Sequence, residues 1–190
     1  MIKDITALIL ANGKSKRLRK EKAFININGT LLIDKITSEL NELFDQIIIA
    51  STKTSLTNRF PQLGFVKDEF KDAGPLAGIH AGLKKAETDA VFVFACDMPD
   101  LNPHIILKQC EFFRQSGSDV LVPKHRDGLE PLHAIYTKRC LPNIETKLKS
   151  ANFAVRSFFP DITLRYFDVK PEDIRCFRNI NTNADLESEK

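Results

Sequence analysis

Short, continuous apolar runs recur along this chain at intervals that leave room for a helix between most of them, and this alternation limits the folds available to it. Strand-like runs fall at Ile5 to Leu10, Ile47 to Ala50, Phe65 to Val66, Val91 to Ala95, Asp119 to Val122, Ala134 to Tyr136 and Ile162 to Phe167. Several are apolar at every position, the pattern of strands covered on both faces rather than one. Between them, Leu32, Ile36, Leu40 and Leu43 recur at helical spacing, and helices are expected near 75–86, 103–116 and 138–149, each with a proline at or near its start. Strand and helix in alternation predict a mostly parallel, doubly wound sheet with helices on both faces, a three-layer α/β/α domain. At 190 residues, one such domain spanning 1–190 is the expectation.

In open parallel sheets, ligands lie beyond the carboxyl ends of the strands. That rule singles out the loops after Leu10, Val66, Ala95 and Tyr136. The first is unusual in charge: positions 14–22 hold Lys14, Lys16, Arg17, Arg19, Lys20 and Lys22 against the single acid Glu21. This local surplus of five cations exceeds the net charge of +3, so the rest of the chain is slightly acidic. Cations concentrated in one turn after a buried strand make an anion cradle, in which Gly13 admits phosphate close to the backbone, Ser15 donates a hydroxyl and Arg17 and Lys22 neutralise charge. With one glycine, the loop matches neither the P-loop nor the dinucleotide fingerprint. Aromatic residues are not interleaved with the cations, which argues against a nucleic-acid partner.

The run Val91 to Ala95 delivers Cys96, Asp97, Met98 and Pro99. A carboxylate at the end of an all-apolar strand is placed to hold Mg²⁺, a hard cation that takes few protein oxygens and keeps waters and substrate phosphates as its other ligands. A helix-capping role for Asp97 is disfavoured, because Asp100 and Asn102 lie nearer the helix that opens at Pro103. Cys96 reads as a buried structural thiol, since an adjacent carboxylate raises a thiol pKa. The four cysteines form no paired motif and the histidines share no metal spacing with them, so neither a disulfide framework nor a zinc site is expected, and a reducing, cytoplasmic setting fits. No apolar run approaches the roughly 20 residues that span a bilayer.

Leu10, Ala11, Asn12, Gly13, Ser15, Arg17, Leu18, Arg19, Glu21 and Lys22 resemble the LAGGxSxRMGxDK signature of the molybdenum cofactor guanylyltransferases, within the wider nucleotidyltransferases that activate sugars and cofactors. Asn12 and Arg19 stand where that family usually has glycine, Leu18 replaces Met and Glu21 replaces Asp. The resemblance continues in order through Lys67-Asp68, Gly74-Pro75-Leu76-Ala77-Gly78, the Cys96 to Pro99 segment, Gly128 to Tyr136 and Asn179 to Leu186. It implies a nucleotide-diphospho-sugar transferase-like (Rossmann-like) fold that moves GMP from GTP to molybdopterin or its molybdenum form and releases pyrophosphate. Mg²⁺ is the implied cofactor, and cofactor-insertion proteins or acceptor molybdoenzymes are implied partners. It also implies roles: Leu10 to Gly13, Ser15 and Lys22 around the triphosphate, Asp68 on the nucleoside or its acceptor side, Pro75, Leu76 and Gly78 beneath the base, and Asn179, Asn181 and His133 toward the acceptor. His133 fits a packed strand residue as well, and Thr182 or Asn183 fits a helix cap. Two further readings stay open: a cytidylyl or sugar-phosphate transferase on the same scaffold, and a noncatalytic nucleotide or pterin binder.

Overall fold

The computed structural model describes residues 1–12, 14, 15 and 20–180, with side chains omitted at 14, 15 and 20–22. Seven strands form the body of one sheet: β1 (Ile5–Leu10), β2 (Ile47–Ala50), β3 (Gly64–Val66), β4 (Ala90–Ala95), β5 (Val120–His125), β6 (Ile135–Thr137) and β7 (Leu164–Asp168). Their order is β5-β6-β4-β1-β2-β3, with β7 on the free side of β5 and the short stretch Gly128–Leu129 folded back on the end of β5. Five helices accompany them: α1 (Leu32–Asn41), α2 (Thr54–Arg59), α3 (Gly74–Lys85), α4 (Pro103–Ser116) and α5 (Leu141–Lys149).

Side chains alternate across the sheet and divide the core in two. Ala7, Ile9, Phe92 and Phe94 face a cluster that contains Ile33, Ile36 and Leu40 of α1 and Ile106 and Cys110 of α4. Leu8, Val91 and Val93 face the opposite cluster, with Leu76, Ile79 and Leu83 of α3 and Ile144 and Leu148 of α5. Three layers follow from this division, as the continuous apolar runs require. Phe44, just beyond α1, meets Phe92 and Phe94 edge-on at 6.1 and 5.8 Å, the arrangement that ring quadrupoles favour. Leu43 lies beyond the end of α1, its N–H donating to the Leu40 carbonyl at 3.0 Å, and is half-buried against the same cluster.

β1, β2, β3 and β4 run parallel, with Leu10 opposite both Ala50 and Ala95, so their carboxyl ends share one edge. β6 is antiparallel to both β4 and β5. The loop after Tyr136 therefore leaves at the opposite edge, which corrects its placement among the ligand-bearing loops; the segment entering β6 is the part near the shared edge. The loop after Ala50 takes its place there. No described helix is long and apolar enough to cross a membrane.

Candidate functional site

Backbone bonds join the loops at the shared edge directly. Ala11 N–H donates to the Ala50 carbonyl at 3.1 Å, Ser51 N–H to the Val66 carbonyl at 2.9 Å and Cys96 N–H to the Leu10 carbonyl at 3.4 Å. The chain leaving β1 and the chain leaving β4 thus begin side by side. Beyond Asn12, Lys14–Ser15 pairs antiparallel with Lys20–Glu21, and a 3-10 turn opens at Lys22. The ladder brings the chain back on itself, so Lys22 follows directly on the residue opposite Lys14. Gly13, Arg17 and Asn181 lie outside the described residues, and the side chains of Ser15 and Lys22 are not described.

Asp97 stands two residues beyond β4, with only 7% of its surface exposed. It does not cap α4: Asn102 does, its Oδ1 accepting from the N–H groups of His104 at 3.0 Å and Ile105 at 3.4 Å. Among the described residues no cluster of three or more His, Cys, Asp or Glu could hold a metal. A carboxylate just beyond the end of a strand fits Mg²⁺, which takes one or two carboxylates and fills its other positions with water and phosphate oxygen. Cys96 is buried and unbridged, as are Cys110, Cys140 and Cys176. Burial pushes the thiols of Cys110 and Cys176 up to about 12 and that of Cys140 to about 11, where none acts as a nucleophile near neutral pH.

The C-terminal segment closes against this loop. Ile180 N–H donates to the Asp97 carbonyl at 2.8 Å, and Ile180 is wholly buried beside Ile25 and Leu32. Arg175 Nε and Arg178 guanidinium nitrogen each lie 3.3 Å from the Asp100 carboxylate. Asn179, half-buried, is therefore held next to the Asp97 loop across some eighty residues of sequence. A cleft of about 380 Å³ is lined by Lys35, Asp100, Asn102, Glu172 and Arg175. Lys35 Nζ donates to the Pro99 carbonyl at 2.5 Å.

On the other side of β1, Asn12 and Asp68 are in direct contact: Asn12 Nδ2 donates to Asp68 Oδ2 at 2.9 Å, and Asn12 Oδ1 accepts from the Thr52 N–H at 3.0 Å. Burial raises the Asp68 pKa, and the Asn12 bond works in the opposite sense. Pro75 stands in the first turn of α3, where its missing N–H costs nothing, and Leu76 is fully buried beneath the sheet. A Cβ at Gly78 would meet Leu10 Cδ2 at 2.8 Å and Asp68 Oδ1 at 3.7 Å. Bare backbone at Gly78 lets α3 lie against the end of β1 beside Asp68.

His133 is placed differently from the other candidates. Its ring is wholly buried, edge-on to Phe92 and Phe94 at 5.2 Å each and to Phe177 at 4.9 Å. The packed alternative is the one its position matches. Sequence reasoning missed Thr52, Asp100, Arg175 and Arg178, because their roles arise from contacts distant in sequence; the acid–base pairs around Asp100 had no spacing signal to reveal them.

Residues 7–161 match the family described as MobA-like NTP transferase domain. The chain is similar to the molybdenum cofactor guanylyltransferase of Syntrophotalea carbinolica, 33% identical over 187 residues that cover 96% of this chain and 89% of that protein. It is similar also to the probable molybdenum cofactor guanylyltransferase of Pelotomaculum thermopropionicum, 35% identical over 188 residues, 95% of this chain and 89% of that one. Among solved structures, molybdopterin-guanine dinucleotide biosynthesis protein A from Archaeoglobus fulgidus superposes with a TM-score of 0.85 at 24% identity, covering 97% of this chain and 96% of that one. At that identity the match speaks for the fold.

Proposed function

The chain belongs to the family of MobA-like NTP transferase domains, and from that premise we propose that it transfers GMP from GTP to the terminal phosphate of molybdopterin. A phosphate oxygen of the acceptor attacks the α-phosphorus in line and forms a new P–O–P link. The bond from the α-phosphorus to the bridging oxygen of the β-phosphate breaks, and pyrophosphate leaves with that electron pair. The product is the guanine dinucleotide form of the cofactor. No covalent protein intermediate is needed, in keeping with the buried thiol of Cys96.

Catalysis of this kind consists of positioning and electrostatic stabilisation. The backbone from Leu10 to Gly13 and the Ser15 hydroxyl orient the triphosphate, while Arg17 and Lys22 balance charge on the α-phosphate and the leaving group. Asp97 would hold Mg²⁺, which supplies neutralisation of phosphate charge when bound. Asp68 contacts the nucleoside, with Pro75, Leu76 and Gly78 beneath the base, and Asn179 and Asn181 offer amides to the pterin. His133, buried among aromatic rings, is not given an acceptor role. The reaction is placed in the cytoplasm, with cofactor-insertion proteins or acceptor molybdoenzymes receiving the product.

The observation that carries this reading is the bond between Cys96 N–H and the Leu10 carbonyl, which starts the cationic loop and the Asp97 loop from adjacent points of one sheet edge. Replacing Asp97 by Ala is expected to reduce pyrophosphate release from GTP, molybdopterin and Mg²⁺ to background, with an unchanged circular dichroism spectrum. Turnover retained in Asp97→Ala would remove this residue from the mechanism. Competition of GTP against CTP for binding reads base preference, and tighter CTP binding would replace the guanylyl assignment with a cytidylyl one.

A further inference from the structure

Asn12 occupies a position where the family signature has glycine, yet its backbone is unstrained: the described non-glycine residues with positive φ are Asn28, Asp72 and Ala151. Backbone conformation therefore does not demand glycine here, and the side chain is free to make contacts that glycine lacks. A single amide joins three strand-end loops. Its oxygen accepts from Thr52 N–H after β2, and its nitrogen donates to Asp68 Oδ2 after β3, while its own backbone continues β1. With Oδ1 committed to Thr52, the amide orientation is fixed, and Nδ2 is left to face the carboxylate.

The Asp68 carboxylate is held unequally. Oδ2 is engaged by Asn12, whereas Oδ1 is buried beside Gly78 and has no hydrogen-bond partner among the described residues. An unpartnered buried carboxylate oxygen is costly unless a donor arrives to meet it. Nucleosides carry such donors, on ring and exocyclic nitrogens and on ribose hydroxyls.

We propose that Asn12 is a positioning residue for nucleotide binding: it locks Asp68 by one oxygen and leaves the other to accept from the nucleoside. This rests on the proposed function. Without Asn12, the carboxylate rotates, loses its charge-assisted bond and must be ordered anew each time a nucleotide binds. A side chain at this position thereby substitutes fixed geometry for the bare backbone of the signature.

The test uses the full chain and three variants, Asn12→Gly, Asn12→Asp and Asp68→Ala. In ligand-free protein, Asn12→Gly is expected to speed hydrogen exchange at the Thr52 amide, which loses its acceptor. Asn12→Asp keeps that acceptor, so exchange at Thr52 stays near the wild-type rate, but it sets a second carboxylate against Asp68. The KM for GTP is expected to rise about tenfold in Asn12→Gly and further in Asn12→Asp, with the loss falling on KM more than on kcat. In the Asp68→Ala background, Asn12→Gly is expected to add less than about twofold, because the two residues act as one unit. A KM within about twofold of wild type in Asn12→Gly, or an equal loss with and without Asp68, would overturn the proposal. If Asn12→Gly does not fold, Asn12→Asp decides alone, and GTP affinity at or above wild type overturns it. Wild-type protein that binds no GTP would instead overturn the proposed function, a failure visible before any substitution is made.

Discussion

Burying an imidazole with neither nitrogen hydrogen-bonded sets a definite pH dependence. Both His133 ring nitrogens lack a partner among the described residues, and burial lowers its pKa to about 3. A histidine in the unfolded chain titrates near 6.5, so below that pH the unfolded state binds a proton that the folded state refuses. Stability from this residue is fully present above about pH 6.5 and drains away as the pH falls toward 3, at up to about 1.4 kcal/mol per pH unit. His133→Leu is expected to match or exceed wild-type stability at pH 7.5, since an apolar side chain leaves no unpaired polar atom in the aromatic cage. Urea midpoints at pH 7.5 and 5.0 check this: the variant's advantage should widen at the lower pH, and an equal drop in both proteins would refute it. At the same scale, Asp97 was legible in sequence because its place at the end of an all-apolar run is itself the signal. The Asn12–Asp68 bond was not, since 56 residues separate the partners and each alone reads as a polar loop residue.

Between elements, the approach of α3 to the sheet is set by glycine. A Cβ at Gly82 would lie 2.2 Å from Leu8 Cδ2 and 2.9 Å from Leu8 Cγ, and Leu8 is fully buried. Gly78 and Gly82, one helical turn apart, thus form a flat strip on which β1 rests. Gly82→Ala is expected to destabilise the fold by about 1–3 kcal/mol through overpacking. Combining it with Leu8→Ala should cost less than the two separate losses together, because the truncated side chain leaves room for the added methyl. Thermal or urea unfolding of the four proteins measures this, and strict additivity would show that the contact does not govern the packing. Sequence periodicity located α1, through Leu32, Ile36 and Leu40, and prolines near their starts marked α3, α4 and α5. It passed over α2, in which Leu56 is the only buried residue, since so short a helix leaves no periodic pattern. Nor did it reveal the reversal of β6, because a buried strand has the same composition in either direction.

The sheet as a whole explains why residues from five regions meet. Parallel β1 to β4 present the segments after Leu10, Ala50, Val66 and Ala95 along one edge, and the C-terminal segment returns to donate from Ile180 N–H to the Asp97 carbonyl. Three layers were readable from runs apolar at every position; the docking of residues 175–180 was not, because it depends on Arg175 and Arg178 reaching Asp100 across the fold. Joining these pieces into one reaction makes a claim that product chemistry tests most directly. Purified protein is incubated with molybdopterin, Mg²⁺ and GTP, CTP, ATP or UTP in turn, and the pterin product is identified by mass. The account predicts a mass increase of one GMP unit with GTP, together with stoichiometric pyrophosphate, and none with the other three. An unmodified pterin with GTP, or nucleotide addition from CTP in its place, would contradict it.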